Sequence, residues 1–167
     1  MDDWKVYIVN LGSYNAGSPI GAWFSLPLNI DELIEKLQLH DGHVEYAIHD
    51  YEAPIAIDEY ENLSHLNQMY EAYQSIEDPL IKKSVSALLS EWFDDVIDLA
   101  DHQDDLLVYH GVQSMRDLAY DLIDSGALYG DLPAQILPYL DYEALGEAIE
   151  QSGNYLVLNG CVIEYVG

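Results

Sequence analysis

Tyr155-Leu156-Val157-Leu158-Asn159-Gly160-Cys161-Val162-Ile163-Glu164-Tyr165 is the stretch on which the fold turns. Two β-prone runs flank Asn159-Gly160, and an Asn-Gly pair between such runs is the strongest short hairpin signal. The chain therefore ends in an antiparallel hairpin. Just upstream, Asp141 is placed to cap a helix through about Glu150, with Gly153 to stop it. Pro133 and Pro138 break the preceding stretch into short pieces. Ser114 with Asp117 marks the start of an earlier helix and Gly126 its end, and Leu106-Leu107-Val108-Tyr109 reads as a strand before it.

The middle of the chain changes character. Leu66, Met69, Tyr70 and Tyr73 share one helical face behind Ser64, which is placed as a cap. Asp78-Pro79 supplies a cap and a first-turn proline, after which Ile81, Val85, Leu88, Leu89 and Trp92 mark a second apolar stripe. A third short helix is expected from about Asp94 to Asp101. At the N-terminus, Trp4, Val6 and Ile8 alternate with their neighbours up to Asn10, and the segment Gly12 to Gly17 reads as a turn. A second strand is expected from Ala22 to Leu26. Asn29 with Glu32 resembles a capping box for a helix reaching Leu39, and Val44 to His49 reads as a third strand. The fold class is α+β: a mixed module over 1–61, a helical module over 62–103 and a second mixed module over 104–167. An elongated shape suits that order better than a sphere.

The chain has 167 residues, 31 Asp and Glu against five Lys and Arg, and a formal net charge of −26. A disordered acidic tail lacks aromatic residues, whereas this chain carries 14 Tyr and three Trp and has enough apolar surface to fold. Duplex DNA presents roughly one charge per 1.7 Å, so a charge of this size matches about 44 Å of duplex, or about 13 base pairs. A dimer doubles that length. With so few cations, binding to nucleic acid or to anionic membranes is disfavoured and basic partners are favoured. No apolar run approaches the roughly 18 residues of a membrane span, and Met1-Asp2-Asp3-Trp4 lacks the basic start of a signal peptide, so a cytoplasmic location is expected.

The acidic residues are spread along every module. The candidate charged surface comprises Asp31, Glu32, Glu35, Glu45, Asp50, Glu52, Asp58, Glu59 and Glu61 in the first, Glu71, Glu77, Asp94, Asp95, Asp98 and Asp101 in the second, and Asp104, Asp105, Asp117, Asp121 and Asp124 in the third. Asp94, Asp98, Asp101 and Asp105 fall on one face if their segment stays helical, and Asp117, Asp121 and Asp124 repeat that spacing. Neither row has basic partners at the same spacing. The bland reading of any single row is a solvated face; many such rows together ask for a role.

Catalytic signals are lacking. No Gly-x-Ser-x-Gly elbow, phosphate-binding glycine loop or His-Glu-x-x-His occurs, and nothing singles out two carboxylates from 31 for acid–base work. Asp98 to Asp105 lacks the glycine of a calcium loop. His40 and His43 have no third ligand beside them, and Cys161, the single cysteine, reads as a small apolar residue. No metal, cofactor or enzymatic activity is expected. The tyrosines read chiefly as core, with any exposed ones as interface anchors.

Val6-Tyr7-Ile8-Val9-Asn10-Leu11, Tyr14-Asn15-Ala16-Gly17, Gly21-Ala22-Trp23-Phe24 and Glu45-Tyr46-Ala47-Ile48-His49-Asp50-Tyr51-Glu52 resemble the N-terminal signature of the ArdA antirestriction family. Tyr139-Leu140-Asp141-Tyr142-Glu143-Ala144-Leu145 with Gly153-Asn154-Tyr155 is similar to its C-terminal signature, while the central helical part matches by length, acidity and position. The resemblance implies a non-enzymatic DNA mimic, carried by mobile elements, that blocks Type I restriction-modification enzymes as foreign DNA enters a cell. It further implies three domains in a curved monomer that pairs through its C-terminal domain into a homodimer. Leu107, Val108 and Tyr109 are the candidate dimer contact, since an unpaired apolar strand edge invites a partner. Two alternatives remain: a halophile-type acidic surface that serves solubility, and a small-molecule binding domain with a deep pocket.

Overall fold

A computed structural model describes residues 3–39 and 45–167. His40, His43 and the expected strand start at Val44 lie outside the described residues. Among the described residues the chain is α+β, with eight α-helices and two three-stranded antiparallel sheets. It divides into two compact units, Met1–Ala100 and Asp101–Gly167.

The first unit begins with β1 (Lys5–Asn10), α1 (Leu11–Asn15), β2 (Ile20–Ser25), α2 (Ile30–Lys36) and β3 (Tyr46–Glu52), with the strands in the order β2-β1-β3. Val6 and Ile8 are fully buried, as the alternation requires. The segment read as a turn after β1 instead holds one turn of helix. Asn10 explains it: its side chain accepts the Ser13 amide at 3.1 Å, and the Ser13 hydroxyl donates to the Asn10 carbonyl at 2.9 Å. Asn29 caps α2 as expected, accepting the Glu32 amide at 3.2 Å.

The unit continues with α3 (Leu63–Ser75), α4 (Pro79–Lys83), α5 (Val85–Glu91) and α6 (Val96–Asp101). The cap of α3 is Asn62 rather than Ser64, because the Asn62 oxygen reaches the His65 amide at 3.0 Å and Ser64 already lies inside the helix. Leu66, Met69 and Tyr73 are buried, and Tyr70 packs edge-on against Trp4 at 5.5 Å. The stripe after Pro79 runs through two short helices that meet at Ser84, with Ile81, Val85 and Leu88 buried throughout. Asp78 caps the first, accepting the Leu80 amide at 2.7 Å. The sheet and α3 are joined by Trp4, whose ring also meets Tyr73 at 5.2 Å, and by Asn67. That side chain accepts the Leu28 amide at 2.6 Å and donates to the Leu28 carbonyl at 2.9 Å. These contacts span residues on both sides of position 61.

The second unit holds β4 (Leu106–His110), α7 (Met115–Asp124), α8 (Tyr142–Ser152), β5 (Asn154–Leu158) and β6 (Cys161–Tyr165), with the strands in the order β4-β6-β5. The terminal hairpin turns where Gly160 takes φ +93°. Ser114 caps α7 through the Asp117 amide at 3.1 Å, Gly126 follows it at φ +75°, and Asp141 caps α8 through the Ala144 amide at 3.0 Å. The core joins Val112, Met115, Leu118, Ala119, Ile149 and Val162, so α7 and α8 pack on the sheet face that carries Val162. Cys161 is buried, in keeping with its reading as an apolar residue.

Across this sheet, Tyr109 and Tyr155 donate their hydroxyls to the two carboxylate oxygens of Glu164, at 2.9 and 3.0 Å. Burial, and then the bond to Glu164, raises both phenols from the ordinary 10, Tyr155 to about 12. The folded chain thus keeps protons that the unfolded chain releases, so this contribution is complete below pH 10 and is lost as the pH climbs toward 12. Unfolding midpoints followed by circular dichroism should fall more steeply above about pH 10 in the wild type than in Tyr155→Phe. Parallel pH profiles would count against the clasp.

Candidate functional site

Nineteen of the 31 acidic residues lie in the first unit with four of the five cations, and twelve lie in the second with Arg116 alone. Among the described residues no charged side chain is buried, as the cost of desolvating an unpaired carboxylate requires. Of the twenty candidates, Glu61, Asp95, Asp98, Asp105 and Asp117 are half-buried and the others exposed.

Each element turns its carboxylates outward by its own periodicity. Leu33 on α2 and Leu37 just after it are buried, while Asp31 and Glu35, one turn apart, stay exposed with Glu32. On β3 a register shift does the work. Ile8 pairs with Ile48 and Tyr7 with Asp50, leaving His49 as an extra residue. An unbroken strand would place Asp50 on the face of Ile48, toward the core; the bulge moves Asp50 and Glu52 to the opposite face and into solvent. Glu45 lies just before the strand and is exposed.

The loop after β3 carries Asp58, Glu59 and Glu61. It is pinned by the Ile48 amide on the Glu59 carbonyl at 2.8 Å and by the Tyr46 hydroxyl on the Glu61 carbonyl at 2.7 Å. Burial raises the pKa of that hydroxyl. His49 Nε2 stands 3.9 Å from Glu59 Oε1. Farther on, Glu71 lies on the outer face of α3 and Glu77 follows it, both exposed.

Several of these carboxylates also build the fold, a role the charge pattern alone does not reveal. Asp58 accepts the Tyr60 amide at 2.8 Å, Glu61 the Asn62 amide at 3.0 Å and Asp50 the Tyr51 amide at 2.8 Å. Asp95 accepts the amides of Ile97 and Asp98, both at 2.9 Å, and Asp98 accepts the Asp94 amide at 3.2 Å. The expected single row from Asp94 to Asp105 is therefore not one helical face. Asp94 and Asp95 precede α6, the helix ends at Asp101, and Gln103–Asp105 forms a separate 3-10 turn that includes Asp104.

The second row does form. Asp117, Asp121 and Asp124 lie on α7, away from the buried Met115, Leu118, Ala119 and Ile123. Arg116 stands 3.8 Å from Asp117 and 3.9 Å from Glu143, long contacts between exposed groups that add little.

At the edge of the second sheet, β4 pairs with β6 on one side. Leu107 is 45% exposed, whereas Val108 and Tyr109 are half-buried and the Tyr109 hydroxyl is committed to Glu164. The tyrosines divide between core and surface: Tyr73 is buried, while Tyr60, Tyr120, Tyr129 and Tyr139 stand out, Tyr139 by 87%. Among the described residues no three His, Cys, Asp or Glu are grouped to hold a metal, and no helix is long and apolar enough to cross a membrane.

The family model described as antirestriction protein (ArdA) matches residues 6–164. No curated protein matches the sequence.

Proposed function

The chain belongs to the ArdA family of antirestriction proteins, and on that premise we propose that it occupies the DNA groove of Type I restriction-modification enzymes in place of duplex. It acts in the cytoplasm on enzymes that meet incoming mobile DNA, blocking restriction and modification alike, and it performs no catalysis. The observation that carries this reading is a charge of −26 borne on side chains of which none described is buried.

A groove lined with Lys and Arg gains affinity when a polyanion sheds its counterions, and carboxylates held on a folded scaffold offer the same gain as phosphates. Their positions are fixed before binding by helix caps, a strand bulge and short loops, so little ordering entropy opposes association. Duplex that must bend to fit the enzyme bears a deformation cost that this scaffold avoids. Because only backbone-like charge is offered, the target sequence of the enzyme is immaterial. The test is displacement: labelled duplex bound to a Type I methyltransferase should be released as the protein is added. Undiminished DNA binding at saturating protein would reject the reading.

We further propose three modules, at 1–61, 62–103 and 104–167, the last pairing two copies through the open edge of β4 at Leu107, Val108 and Tyr109. Leu107→Asp is the cleanest probe, since Tyr109 also holds Glu164. It should halve the mass seen in sedimentation, and an unchanged sedimentation coefficient would move the interface elsewhere.

A further inference from the structure

We propose that a cavity in the second unit receives an arginine side chain of the inhibited enzyme, an inference that rests on the inhibitor reading and adds a specific contact to it. The cavity has a volume of about 220 Å³ and is walled by Tyr120, Asp124, Asp131, Leu137 and Tyr142. Tyr120 and Asp124 are one turn apart on α7 and so project to the same side. Tyr142 opens α8 and meets Tyr120 edge-on, with ring centroids 5.3 Å apart and planes at 62°. The second carboxylate comes from the loop beyond α7. Gly126 and Gly130 both adopt positive φ, and Asp131 Oδ1 lies only 3.3 Å from where a Cβ at Gly126 would stand.

Two aromatic rings and two carboxylates around one hollow define an environment for a cation with an apolar stem. The unit supplies no such cation itself: Arg116, its one basic residue apart from histidines, stands against Asp117 and Glu143. Apolar side chains lie close by in sequence, with Ile136 42% and Leu137 36% exposed. Guanidinium fits better than ammonium, because its plane stacks on a tyrosine ring while its fork bonds a carboxylate, and it sheds water more easily. An arginine that would grip a phosphate in duplex meets here a carboxylate with an aromatic wall, a contact that DNA does not offer.

The experiment has two arms. In the first, N-acetyl-arginine methylamide is titrated into the full-length protein while the ring resonances of Tyr120 and Tyr142 are followed by NMR, with the uncharged isostere N-acetyl-citrulline methylamide as control. Saturable shifts with arginine and none with citrulline are expected. Equal shifts with both, or arginine shifts spread evenly over the acidic surface, would overturn the site.

In the second arm, Tyr120→Leu keeps every carboxylate and loses only a ring that is already 49% exposed. It should weaken both arginine binding and duplex displacement from the methyltransferase by about tenfold. Asp124→Asn, on an exposed side chain at the end of α7, should do the same. A Tyr120→Leu protein that displaces duplex as well as the wild type would remove the enzyme's arginine from the pocket. Should the wild type fail to displace duplex, the inhibitor reading falls and takes that occupant with it, while the titration alone decides whether the cavity is an arginine site.

Discussion

Converting Glu35, Glu45, Glu52, Glu71, Asp104 and Asp121 to their amides should weaken displacement of duplex from a Type I methyltransferase roughly a hundredfold while leaving the fold intact. All six side chains are exposed, and the net charge falls from −26 to −20. At about 0.5 kcal/mol for each exposed pair lost with a basic groove, the total is about 3 kcal/mol, which is that factor in affinity. Stability should hold or rise, because six like charges are removed from a strongly self-repelling surface. The pairing of these two outcomes separates charge imitation from a structural role for the carboxylates. An amide protein that melts at the wild-type temperature and inhibits as well as the wild type would show that bulk surface charge is not what the enzyme reads. A halophile-type surface makes the opposite forecast for stability, since its acidity protects folding in strong salt and bears on no enzyme.

Gly146→Val should lower the melting temperature by about 6–12 °C. Gly146 is the residue of α8 that meets the start of α7: a Cβ there would stand 2.7 Å from both the carbonyl carbon and the oxygen of Met115, and 2.9 Å from the Arg116 nitrogen. Those atoms are backbone and cannot swing aside. The helices must separate, opening the cluster of Met115, Leu118, Ala119 and Ile149, at a cost of about 3 kcal/mol. Valine recovers only a few tenths of a kcal/mol in helix propensity over glycine, so the clash decides the sign. For a chain of this size each kcal/mol moves the midpoint by about 2–4 °C. A melting temperature at or above that of the wild type, measured by calorimetry, would show that the two helices do not cross so closely.

The elements legible in the sequence are those fixed by neighbours in the chain. Asn159-Gly160 gives the hairpin, Asp78-Pro79 gives a helix start, and Ser114 with Gly126 brackets α7, because in each case the side chain that sets the geometry lies within a few residues. Ambiguity enters where two capping residues compete. Asn62 and Ser64 both suit the start of α3, and only the reach of the Asn62 oxygen to His65 decides between them. The one-turn helix after β1 is set by Asn10, a residue read simply as the end of a strand. The bulge at His49 leaves no mark in the alternation, yet it determines which way Asp50 and Glu52 point. Likewise the row from Asp94 to Asp105 keeps helical spacing across a segment that is not one helix, since Asp95 and Asp98 spend their oxygens on backbone amides there. Total charge was plain from composition, whereas the position of each charge depends on such local devices. The aromatic cavity was hidden for a different reason: Tyr120, Asp131 and Tyr142 are distant in sequence and meet only once α7, the following loop and α8 have packed.

The proposed mechanism has the enzyme bind this protein as it binds duplex, through release of counterions from a fixed array of anions. Its most direct test is the dissociation constant of the protein–methyltransferase complex measured over salt from about 50 to 200 mM, a range in which a duplex contact of several phosphates loses about a thousandfold or more in affinity. The logarithm of the protein's affinity should fall linearly with the logarithm of salt concentration, the affinity dropping about a hundredfold or more over that range. An affinity that stays level across it would contradict the claim.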